Sequence, residues 1–320
     1  MKFRTEVRFD SYPDRIETGK PLVLMGSCFS DNVGEKLKYY LFDAEVNPFG
    51  VTYNPVSLAS SLGKLLDKES YTEQDLDFQN ELWFSFDHYT KFSDTSKEKA
   101  LEKINNSFLA AKKKLKNASH LLLTFGTAFT YSLQEGSRVV NNCHKLPAAT
   151  FNRRMLGIVE IVETYRSLIS RLIHFNPGLK IIFTVSPIRH AKDGFVENQR
   201  SKSTLHLAVS EILKIYPEVC WYFPAYEIMM DELRDYRFYD SDMLHPSQQA
   251  VDYIWEKFMD HMISNEAKEC IRELNPLLTG MHHRPLHAET SAFRKFEAGL
   301  KKKEEVLKAK YPELQWGKIL

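Results

Sequence analysis

The chain has 320 residues, 43% of them apolar and 27% charged, the composition of an ordinary globular protein with material for one large domain. Lysine and arginine number 43 against 42 aspartates and glutamates, so a net charge of +1 leaves no global field to attract nucleic acid or an acidic membrane surface. Cys28, Cys143, Cys220 and Cys270 lie far apart without C-x-x-C spacing, which argues for a reduced compartment rather than a disulfide scaffold. The stretch Met1 to Arg8 has no apolar signal region and no run approaches membrane-spanning length, so the expected location is the cytoplasm, away from membranes.

Residues 1–20 alternate weakly and read as an edge segment or lead-in. Leu22 to Met25 form an apolar run that stops on Gly26, the pattern of a buried strand meeting a turn. Val33, Leu37, Tyr40 and Leu41 then recur at helical spacing, predicting a helix from about Ser30 to Leu41. Two Asn-Pro pairs, Asn47-Pro48 and Asn54-Pro55, with Gly50 between them, make a loop of fixed backbone direction. A helix over Val56 to Leu66 precedes an insertion near residues 67–95, with a strand at Leu82 to Phe86. An amphipathic helix from Ser96 to Leu115 leads into His120 to Thr127, a second apolar run ending at a glycine.

Two further units repeat the pattern: a helix from Arg153 to Phe175 before the strand at Leu179 to Pro187, and one from Lys202 to Tyr216 before Val219 to Phe223. A helix from Gln248 to Ile263 closes the core. Alternating helices and buried strands predict an α/β domain over residues 1–263, with a parallel sheet of about five strands covered on both faces. Residues 264–320 change character, and Phe293 to Tyr311, rich in Lys and Glu, predicts a helical C-terminal extension through which a second copy could associate. In parallel sheets ligands collect at the carboxyl ends of strands, where every motif of interest falls.

Ser27 sits where a strand delivers the chain to a helix, so its hydroxyl is presented beside helix N–H groups that can receive an oxyanion. A serine hydroxyl needs a histidine to take its proton and a carboxylate to orient that histidine. Asp242 and His245 supply this pair within one turn, before Pro246 and Ser247 open a helix. The plainer alternatives are that Ser27 only caps its helix and that Cys28 is a small core residue; Cys28 could also be the nucleophile itself. Cys143 and His144 are adjacent and lack a second pair, so no metal site is expected. Asn142 and His144 are candidates for substrate or oxyanion contact, Arg189 and His190 for anion or sugar binding, and His282, His283 and His287 for a surface cluster.

The combination resembles the SGNH or GDSL-type hydrolases and, more closely, the GSCFA family, whose name is spelled by Gly26-Ser27-Cys28-Phe29 with Ser30 in place of the final Ala. Asn47-Pro48-Phe49-Gly50, Gly126-Thr127-Ala128, Asn142-Cys143-His144-Lys145, Ser186-Pro187-Ile188-Arg189-His190 and Asp242-Met243-Leu244-His245-Pro246 follow in order. The resemblance implies a flavodoxin-like three-layer sandwich, a triad of Ser27, Asp242 and His245, and an oxyanion hole from the backbone N–H of Ser27 or Cys28 and of Gly50. The SGNH pattern places an Asn where this chain has Ala128, so a side-chain donor is either absent or supplied by Asn142 or Asn54. The implied activity is hydrolysis of a short acyl ester, such as an acetyl group on a small molecule or carbohydrate, with no cofactor. Transfer of that group to a sugar hydroxyl is the nearest alternative, and a non-catalytic binding module is the reading that Ala128 favours.

Overall fold

The computed structural model describes residues 4–136, 138–283, 286–287 and 289–318. Five strands form the central sheet: β1 (Leu22–Gly26), β2 (Ala44–Val46), β3 (His120–Phe125), β4 (Lys180–Val185) and β5 (Cys220–Tyr222). Their spatial order is β5-β4-β3-β1-β2 and every pairing is parallel, the doubly wound flavodoxin-like order that reverses direction between β1 and β3. Gly26 ends β1 opposite Thr124 of β3, so Ser27 leaves the sheet at that reversal.

Strand residues alternate between two cores. Val23, Met25, Leu121, Leu123, Ile181 and Phe183 face one apolar cluster with the inner sides of α2 (Pro55–Asp67), α3 (Lys97–Asn117), α4 (Ile158–Phe175) and α5 (Phe195–Ile215). Leu22, Leu24, Leu122 and Ile182 face the other, packed by α1 (Cys28–Tyr39) and α6 (Gln248–Met262). These are the three layers. Helix starts follow side-chain caps: Ser27 opens α1, Asn54 opens α2 with Pro55 in its first turn, Ser96 opens α3 and Ser247 opens α6.

Several boundaries differ from the sequence expectation. The segment before α4 is not helical: Phe151–Met155 is a strand pairing antiparallel with Phe129–Leu133, which also pairs with Val139–Val140. The α4 helix begins only after Gly157. In the other direction, α5 starts at Phe195, about two turns before the expected Lys202, which places Lys202 inside a helix. The insertion carries a short hairpin of Asp77–Gln79 and Leu82–Phe84.

Beyond residue 263 the chain forms α7 (Asn265–His282) and α8 (Ser291–Lys310). Ala267 and Ile271 of α7 join the cluster of α1 and α6. Cys270, Leu274, Leu277 and Leu278 of α7 bury Leu41, and Leu307 of α8 joins them. The Gln315 N–H also donates to Leu41 O at 2.9 Å. His282 packs on Tyr39 and His283 on Phe296, so these two rings have separate aromatic neighbours. Among the described residues no helix is long and apolar enough to cross a membrane.

Candidate active site

Gly26 adopts φ +141°, and a β-carbon there would stand 2.3 Å from Thr124 O, so only glycine allows β1 to run this close to β3. Asn47, itself at φ +46°, binds the same turn from the loop after β2. Its Oδ1 accepts Gly26 N–H at 2.8 Å and its Nδ2 donates to Asp31 Oδ1 at 2.7 Å. The Asn-Pro loop is therefore a clamp across the end of β1 and the first turn of α1.

Ser27 is 1% exposed, and its Oγ accepts the Phe29 N–H at 3.3 Å as a helix cap. Among the described residues no hydrogen bond joins Ser27 Oγ to His245. Cys28 begins α1, where burial pushes its thiol above the ordinary range and so disfavours a thiolate. Gly50 N–H, an expected oxyanion donor, donates to Asn47 O at 2.7 Å. By contrast, Cys28 N–H is the first amide of α1 and belongs to the set a helix leaves without internal partners.

The Asp242–His245 pair is fully formed. His245 Nδ1 donates to Asp242 Oδ2 at 2.5 Å, while Asp242 Oδ1 accepts the Leu244 and His245 N–H groups at 2.9 Å each. Those bonds, the His245 amide foremost, hold the Asp242 carboxyl down at about 2. Asp240 N–H donates to His245 O at 2.8 Å and Ser247 N–H to Phe238 O at 2.8 Å, closing the loop that carries the pair. Both side chains remain about half exposed, at 46% and 52%.

Pro246, next to His245, lines one cavity with Phe29 and Val33 of α1 and Pro187 and Ile188 after β4. His245 is also within electrostatic reach of His190. The start of α1, two residues past Ser27, and the residue after His245 thus line one cavity beside the end of β4, although about two hundred residues separate them.

One face of α5 supplies residues that sequence reasoning missed. Asn198 Oδ1 accepts His190 N–H at 2.8 Å, and Ser201 Oγ accepts Ala128 N–H at 2.7 Å. Lys202 Nζ donates to Gly126 O and to Ser186 O, both at 2.7 Å. Positions 198, 201 and 202 share a helical face, and each holds a loop that follows β3 or β4. Asn198 Nδ2, Arg189 Nε and His190 Nε2 are buried without a partner in the described structure. Burial, then the charge of Lys202, keeps the His190 ring below its usual range.

Of the two expected replacement donors, Asn54 is otherwise engaged. Asn54 caps α2 through Ser57 N–H and also donates to Ser57 Oγ. Asn142 Oδ1 accepts His144 N–H at 2.8 Å. His144 lies against Phe84 and approaches Ser85 O through Nε2 at 3.0 Å, so it ties its loop to the end of the hairpin at 77–84. Cys143 packs with Phe84, Phe86 and Phe151. The Arg189 guanidinium lies 5.8 Å from the Phe195 ring, at a groove shared with Met155 and Gln199.

Comparison with solved structures finds a carbohydrate esterase family 3 protein from Talaromyces cellulolyticus, with 7% identity, a TM-score of 0.36, and coverage of 79% of this chain and 99% of that one. An acetyl xylan esterase from the rumen bacterium Butyrivibrio proteoclasticus matches at 10% identity and a TM-score of 0.36, over 79% of this chain and 65% of that one. No curated protein matches the sequence. The GSCFA family profile matches residues 21–258, a span that runs from the strand before Ser27 to the helix after His245 and holds every motif above, and the chain belongs to the GSCFA family.

Proposed function

We propose that the protein is a serine esterase that removes a short acyl group, such as acetyl from a carbohydrate, through an acyl-Ser27 intermediate. The observation that carries this reading is the Asp242–His245 pair: the carboxylate accepts the Nδ1–H hydrogen bond, which keeps the proton on Nδ1 and leaves Nε2 as the basic nitrogen. In the reaction His245 Nε2 removes the Ser27 proton as Oγ leaves Phe29 N–H and attacks the acyl carbonyl. The oxyanion is received by Cys28 N–H at the positive end of α1. His245 then protonates the departing alkoxide, and a water activated by the same nitrogen hydrolyses the acyl-enzyme. Where a sugar hydroxyl replaces that water, the same steps give acyl transfer.

A binding module is favoured by one specific observation, the engagement of Ser27 Oγ by Phe29 N–H at a residue only 1% exposed. Turnover separates the readings. For a working triad, Ser27→Ala and His245→Ala each abolish hydrolysis of a short aryl ester, and the double variant is little worse than either, because triad members act as a unit. No turnover by wild type and no fluorophosphonate adduct on Ser27 would leave the binding module, and equal turnover by wild type and Ser27→Ala would move the nucleophile to another residue.

A further inference from the structure

Lys202 is 0% exposed, and among the described residues no carboxylate pairs with it. Removing an ammonium from water without an acid partner is unfavourable, and two carbonyl oxygens offset only part of that cost. An apolar side chain of similar length would fill the volume without it. The carbonyls are those of Gly126 and Ser186, the first residues after β3 and β4, and the Cys28 thiol lies within electrostatic reach.

We propose that Lys202 is a positioning residue of the Ser27 site, whose ammonium ties together the ends of β3 and β4 and supplies the positive potential for the oxyanion that Ala128 has no side chain to meet. The inference rests on the esterase reading above. It bears on the donor set: Gly50 N–H is bound to Asn47 O and Asn54 is bound within α2, which leaves the α1 amides, the Asn142 side chain and a nearby fixed charge.

Tether and charge can be separated. A neutral amine still has two N–H donors, enough for both carbonyls, so raising the pH removes the charge and spares the tether. The groups facing Lys202 are Cys28 from α1, Arg189 and His190 from the loop after β4, His206 one turn on in α5, and the Tyr226 ring at 5.8 Å. Burial, aided by the charge of Arg189, brings the Lys202 ammonium down to about 7, whereas the Cys28 thiol is shifted upward. Between about pH 7 and about pH 10.4 the unfolded chain holds this proton and the folded one does not, so this group makes folding more favourable as pH rises. Activity lost in that range is therefore not lost through unfolding driven by Lys202.

The test is kcat for p-nitrophenyl acetate as a function of pH, corrected for spontaneous hydrolysis, with thermal melts in the same buffers. Wild type is expected to lose about tenfold in kcat on an alkaline limb centred near neutral pH, a smaller effect than loss of a direct oxyanion donor, with no fall in Tm. Lys202→Arg, cationic throughout, should lack that limb, and Lys202→Met should sit about tenfold down at acid and neutral pH with KM little changed. If both variants fail to fold, the wild-type limb decides. A wild-type kcat that stays flat through the alkaline range, or a folded Lys202→Met with wild-type kcat, overturns the role of Lys202 while leaving the esterase reading intact. No turnover at any pH, together with no fluorophosphonate adduct on Ser27, overturns both.

Discussion

Gly26→Ala tests the physical basis of the site. The new methyl carbon would stand 2.3 Å from Thr124 O and 2.8 Å from Thr124 Cβ, well inside van der Waals contact. The turn cannot swing away, because Gly26 N–H is held by Asn47 Oδ1 at 2.8 Å and Gly26 O accepts Thr52 N–H at 2.9 Å. An L-residue at φ +141° costs about 1–3 kcal/mol. Forcing an extra carbon into close packing costs about 1–3 kcal/mol more. The expected loss is therefore about 2–6 kcal/mol, large beside the marginal stability of a domain. Urea unfolding followed by circular dichroism should show a lower midpoint at unchanged slope, and labelling at Ser27 should fall because the serine is carried on the displaced turn. A midpoint shift worth less than about 0.5 kcal/mol, the level of a bland surface change, would refute the close-approach argument.

Asp242→Asn should lower kcat more than it raises KM, since it removes the acceptor that fixes the His245 tautomer, and steady-state kinetics on an aryl ester checks this. With its folded value depressed to about 2, Asp242 contributes stability above the unfolded carboxyl range that fades as pH falls through that value, and carboxyl NMR of wild type should find its midpoint there. His88 is buried among Phe49, Tyr71 and Phe92 with both ring nitrogens unpartnered among the described residues, and burial holds it down at about 3. Because the unfolded ring takes a proton below about 6.5 and the folded ring does not, stability should fall on acidification from that point, and His88→Phe should flatten the fall in pH-dependent melts. Leu307→Ala, in the cluster of Leu41, Cys270 and Leu274, should cost about 2–5 kcal/mol in chemical denaturation; an unchanged midpoint would mean that α8 adds nothing to the core.

What was legible in the sequence was local. An apolar run stopped by Gly26 announces a strand and turn, and Asp242 with His245 makes a short loop whose own amides fold the carboxylate back, so both could be read from neighbours in the chain. The start of α5 was hidden because Phe195 and Val196 are 55% and 67% exposed and present no inward stripe. Arg153, Arg154 and Met155 are good helix formers, yet the conformation of Phe151–Met155 is set by pairing with residues 129–133, a contact no local pattern carries. The helical extension expected over residues 264–320 forms as α7 and α8, with Pro276 inside α7. Lys202 was the least legible of all: a lysine in a polar stretch reads as solvated, and only the packing of α5 on two strand ends buries it. Asn142 and His144 became candidates through motif order; Asn142 Oδ1 accepts the His144 N–H within their own loop, and His144 Nε2 approaches Ser85 O of the insertion.

The central claim is that Ser27 is a nucleophile activated by His245. Its most direct test is to treat the full-length protein with a fluorophosphonate and map the adduct by mass spectrometry, in wild type and in His245→Ala. The expected result is a single phosphonylated residue, Ser27, in wild type and a labelling rate lower by at least about a hundredfold in the variant, in line with loss of a general base. An adduct on Cys28 or another residue, or a Ser27 adduct formed equally fast without His245, would contradict it.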